Sequence, residues 1–105
     1  MNETTKRELA WVGDAVLALY ARRWILQQKD IPVEGRTNAF VAMTSNGFLA
    51  CFGEPTAIEA KIGSIYQNDG LEKAFDWIET TCLPTYKQQR LNTARGRQGK
   101  KTKRG

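Results

Sequence analysis

An all-α fold is predicted for this chain of 105 residues. Apolar residues recur at helical spacing, most clearly at Leu71, Ala74, Phe75 and Ile78. The segments that carry them are separated by turn-forming clusters at Asp30-Ile31-Pro32, Gly53-Glu54-Pro55 and Asn68-Asp69-Gly70. There is no convincing alternation of apolar and polar residues of the kind a half-buried strand needs, and no internal repeat.

Each element follows from local chemistry. Thr5-Lys6-Arg7-Glu8 has the capping-box pattern, so a first helix is expected from about Lys6 to about Gln28, ending before Asp30-Ile31-Pro32. Val33-Glu34-Gly35 then reads as a turn. A second helical region covers 37–52, interrupted at Ser45-Asn46-Gly47, whose residue types favour a cap or turn. Pro55 suits the first turn of a third helix reaching about Gln67. A fourth helix, from Leu71 to about Cys82, should end at Leu83-Pro84. Residues 1–86 form one domain on this reading, and 87–105 a basic tail disordered at its end.

Composition narrows the class. Hydrophobic content of 41% with 10% aromatic residues argues for a folded protein. A chain this short has a modest core, which self-association would help. Asp14, Arg22 and Arg23 interrupt the best apolar candidate for a membrane span, and the N-terminal MNETTKRE has no apolar signal core. The two cysteines, Cys51 and Cys82, match no metal spacing, and there is no histidine for a mixed zinc site. They read as reduced core residues of a cytoplasmic protein.

The formal net charge of +5 is unevenly placed. Residues 1–86 hold 8 Lys/Arg against 11 Asp/Glu, a net −3, whereas residues 87–105 hold 8 Lys/Arg and no acid. Such a tail is either a solubilising terminus or a polyanion contact, with Lys87, Arg90, Arg95, Arg97, Lys100 and Lys101 as candidate RNA contacts. Trp11, Trp24 and Trp77 are expected in core or dimer packing rather than as base-stacking platforms.

Two acids stand out. Asp14 is the only charged residue in Leu9 to Ala21, and Glu59 sits among Ala57, Ile58, Ala60, Ile62 and Ile65. A carboxylate in an apolar segment costs several kcal/mol to desolvate unless a cation meets it, so a metal ion or a fixed basic partner such as Arg7 is implied.

Residues Leu9 to Leu17, LAWVGDAVL, resemble the signature helix of the ribonuclease III family. Glu59 to Tyr66, followed by Asp69-Gly70-Leu71-Glu72-Lys73-Ala74, is similar to that family's second acidic motif. Glu34-Gly35 resembles its Glu-Gly turn, and Thr44 to Ala50 its Val-Ser-Asn segment. Four motifs stand in family order over most of residues 8–84. Two family carboxylates are absent, at Ala10 and Thr56, and the pattern that remains is closest to the Mini-III branch, although that branch's basic loop ahead of the second motif is missing.

The resemblance implies a minimal ribonuclease III-like helical endonuclease domain acting as a homodimer on double-stranded or structured RNA. It would leave 5′-phosphate and 3′-hydroxyl ends. Asp14 and Glu59 would be the catalytic residues and the ligands of Mg²⁺, with Mn²⁺ as a substitute, and Glu34, Ser45 and Asn46 would support them. Without His or a Ser/His or Cys/His pair, metal-activated water is the hydrolytic route the residues offer. The alternative is a weakly active or inactive module that binds structured RNA within a ribosomal or processing complex.

Overall fold

The chain is described by a computed structural model covering the backbone of residues 2–104 and the side chains of residues 2–94. Six α-helices follow one another, and no strand occurs among the described residues. They are α1 (Glu3–Gln27), α2 (Arg36–Thr44), α3 (Asn46–Leu49), α4 (Pro55–Asp69), α5 (Leu71–Thr81) and α6 (Leu83–Arg104). Val33–Gly35 forms a 3-10 turn ahead of α2. Among the described residues no helix is long and apolar enough to cross a membrane.

The first helix starts earlier than the sequence suggests. Asn2, not Thr5, is its cap: the Thr5 amide donates to the Asn2 side-chain oxygen at 2.7 Å. Asn is as good a cap as Ser or Thr, and the earlier start brings Glu3 into the first turn, where its charge complements the helix dipole. Ala10, Gly13, Leu17, Tyr20, Ala21 and Trp24 form the inner face of α1 at spacings of three and four. Its outer face stays open, with Trp11 81% exposed. Asp14 is exposed too, so the expectation of a carboxylate enclosed by apolar surface does not hold for it.

The break expected at Ser45-Asn46-Gly47 is real. Ser45 adopts an extended backbone that stops α2, and its hydroxyl caps α3 by accepting from the Phe48 amide at 3.1 Å. Glu54 caps α4 by accepting from the Thr56 amide, and Pro55 occupies the first turn, where no amide hydrogen is needed. Gly70, at φ +95°, is the whole connection between α4 and α5. That left-handed value suits glycine and strains any other residue.

Leu83-Pro84 marks the start of a helix rather than only the end of one. Pro84 lies in the first turn of α6, where a missing amide hydrogen is harmless. The helix continues to Arg104, so the boundary expected after residue 86, and the disorder expected beyond it, fall inside α6. Its first turns belong to the core. Tyr86 is buried, with its ring edge-on to Trp24 at 5.6 Å, and Arg90 pairs with Asp30 at 3.0 Å.

Leu17, Leu49, Ile62, Ile78 and Cys82 are the most completely buried large side chains, contributed by α1, α3, α4, α5 and the α5–α6 corner. Trp24 is part of this core and Trp77 packs against it, as expected, while Trp11 does neither. Burial pushes the Cys82 thiol up to about 11, which keeps it protonated and inert. Cys51 is exposed, contrary to the core position expected for it.

Helices α1 and α4 approach closely at two glycines. A β-carbon built on Gly13 would lie 1.7 Å from the Glu59 carbonyl oxygen, and one built on Gly63 would lie 2.0 Å from that of Leu9. Both contacts are backbone, so neither can give way by rotating a side chain. Gly13→Ala and Gly63→Ala should therefore each destabilise the fold by about 3 kcal/mol, the upper end for overpacking a close contact. Gly47→Ala, on a helix where a β-carbon would meet the Ser45 Oγ at 3.9 Å in ordinary contact, should be neutral or stabilising. Urea unfolding of the three variants measures the contrast.

Candidate functional site

The glycine crossing sets where two carboxylates go. Asp14 follows Gly13 on α1, and the Glu59 carbonyl is the atom that Gly13 approaches. Asp14 and Glu59 are neighbours at the crossing, close enough for Asp14 to disfavour a charge on Glu59. The Glu59 carboxyl is pushed up from 4.5 to about 7. Burial is the largest cause, followed by the neighbouring Asp14 and the more distant charge of Glu54.

Among the described residues no cationic side chain forms an ion pair with either acid. The ion pairs among the described residues are Lys6 with Glu54 and Arg90 with Asp30, so Arg7 is not the fixed partner of Asp14. The Lys6 ammonium meets the Glu54 carboxylate at 2.9 Å, joining the start of α1 to the cap of α4. This raises the Lys6 pKa and lowers that of Glu54, chiefly through their hydrogen bond. Nothing in the local sequence pattern marks this long-range contact, although Glu54 directly before Pro55 is a legible helix cap.

The other expected site residues lie apart from the two acids. Among the described residues no third His, Cys, Asp or Glu joins them in a group able to hold a metal ion. Glu34 is exposed on the 3-10 turn, Ser45 spends its hydroxyl on the α3 cap, and Asn46 opens that helix, exposed. Ala10 is buried on the inner face of α1, and Thr56 lies in the first turn of α4. Neither offers a carboxylate.

The expected tail contacts divide. Lys87 is exposed on α6. Arg90 is tied to the body through Asp30, with its guanidinium near the Trp24 and Tyr86 rings. The side chains of Arg95, Arg97, Lys100 and Lys101 lie outside the described residues.

Compared with protein families, with curated proteins and with solved structures, the chain has no match.

Chemically, the crossing holds two carboxylates that cannot both ionise cheaply without a cation. That has a consequence for stability. A carboxyl whose pKa rises on folding holds its proton more tightly in the native state, so its contribution is fully present below about 4.5 and is lost as the pH rises through about 7. Without divalent ions, the melting temperature by circular dichroism should therefore fall between pH 5.5 and 8 more steeply in the wild type than in Glu59→Gln. Asp14→Asn should flatten the dependence as well, because Glu59 then has no like charge beside it.

Proposed function

We propose that this protein is a Mg²⁺-dependent endoribonuclease that hydrolyses phosphodiester bonds of double-stranded or structured RNA, with Asp14 and Glu59 as its metal ligands. The observation that carries the proposal is the proximity of these acids at the glycine crossing, with no basic side chain paired to either among the described residues. The donor set fits the ion. Mg²⁺ is commonly held by one or two carboxylates, keeping several waters and taking further ligands from substrate phosphates.

When bound, Mg²⁺ supplies a Lewis acid and an acidified water at the scissile phosphodiester. The chain's part is to keep the two carboxylates at one spacing through the Gly13–Gly63 approach. Asp14 faces solvent, where a duplex can reach it, and Glu59 must release its proton when a cation takes up the shared position. The 5′-phosphate and 3′-hydroxyl products follow from the resemblance to ribonuclease III.

A homodimer belongs to the same reading. Trp11, Ala15 and Leu19 are exposed at intervals of four on the outer face of α1, and Trp11 has no covering partner among the described residues. An isologous contact along this stripe would cover them. Light scattering at micromolar concentration should show a dimer for the wild type and a monomer for Trp11→Glu, with the helical circular dichroism signal retained.

Cleavage of a generic RNA duplex with and without Mg²⁺ is the direct test. Asp14→Asn and Glu59→Gln should each lower cleavage by roughly 10²-fold or more, the scale of losing one preorganised charge from a reacting centre. Both variants should fold. The absence of acids at Ala10 and Thr56 favours a second reading, an RNA-binding module without catalysis. A wild type that binds Mn²⁺ and RNA yet leaves the duplex intact would establish it.

A further inference from the structure

A second feature stands on the body itself. Between α1 and α2 lies an open groove of about 380 Å³ lined by Arg22, Ile25, Leu26, Arg36, Thr37 and Phe40. It has two guanidinium groups and no acid, although residues 1–86 carry more acids than bases. Neither arginine takes part in an ion pair among the described residues. The Arg22 guanidinium carbon lies 4.3 Å from the centre of the Phe40 ring. Stacking of this kind steadies the planar group and leaves its N–H edges free to grip an oxyanion. The Thr37 hydroxyl adds a donor, while Ile25, Leu26 and Phe40 supply an apolar wall.

We infer that this groove binds the phosphate backbone of an RNA strand, with Arg22 and Arg36 as its phosphate contacts. The inference rests on the RNA reading of the acid pair and gives that reading a docking point on the folded body, independent of the basic tail. Arg22 lies eight residues after Asp14 on the same helix, about 12 Å along its axis and about 80° around it. A phosphate contact of this kind positions the strand without reading its bases.

The test uses the full chain and a labelled RNA duplex of generic sequence. Binding is followed by fluorescence anisotropy without divalent ions, so that cleavage plays no part, over about 50 to 200 mM salt. The double variant Arg22→Gln, Arg36→Gln should bind about tenfold more weakly at the low-salt end, and the slope of log affinity against log salt should fall by about 2, close to 0.9 for each lost phosphate contact. Each single variant should lower the slope by about 1, which keeps the measurement open if the double variant unfolds. Lysine at both positions should retain most of the slope. A double variant with the wild-type affinity and slope overturns the inference, whatever the cleavage assay says of Asp14 and Glu59. An unchanged slope with an altered mass by light scattering would reassign the groove to contact between copies. Binding of millimolar inorganic phosphate by the wild type but not by the double variant, with the duplex affinity and slope the same in both, would reassign it to a free anion.

Discussion

The approach of α1 to α4 at Gly13 and Gly63 is the constraint on which the rest of the structure depends. Each glycine receives a backbone carbonyl from the other helix where any side chain would collide with it. Two helices this close leave little room between them, so their large side chains splay to the flanks. Leu17 and Ile62 there join the core built by α3 and α5. The same approach brings Asp14 and Glu59 together. Packing and site geometry are thus consequences of two missing β-carbons.

The electrostatics of the crossing are held in tension. Burial alone disfavours a charge on Glu59, and Asp14 and Glu54 add repulsion to it. Lys6 satisfies Glu54 and pairs with neither central acid. An exposed ion pair such as Lys6–Glu54 contributes little to stability. The steric framework of the crossing therefore holds the acids together even when both are charged. On the proposed reading, a cation bound there would relieve this repulsion.

Much of the fold was legible in the chain. The apolar spacing of α5, the Ser45 break and the Gly53-Glu54-Pro55 start of α4 are local signals with local causes, and each is present in the structure. What escaped is tertiary or ambiguous. Pro84 is compatible with both the end of one helix and the first turn of the next, and only the burial of Leu83 and Tyr86 decides for the second. The exposure of Asp14 and Trp11 could not be read from a segment that is apolar on every side, because periodicity is silent when every position looks buried. The pairing of Asp14 with Glu59 was suggested by motif order. That Gly13 and Gly63 are what enforces it belongs to the packing of two distant segments, which no local pattern encodes.

Gly70 carries a consequence of a mechanical kind. One residue joins α4 to α5, with open space around it and a backbone sign that only glycine adopts without strain. There is no slack in such a corner, so the two helices form an elbow of fixed pitch. Ala74 and Ile78 bolt one arm of this elbow into the core, and the other arm bears Glu59. The position of a carboxylate at the molecule's surface is therefore levered from its interior, through a joint too short to lengthen.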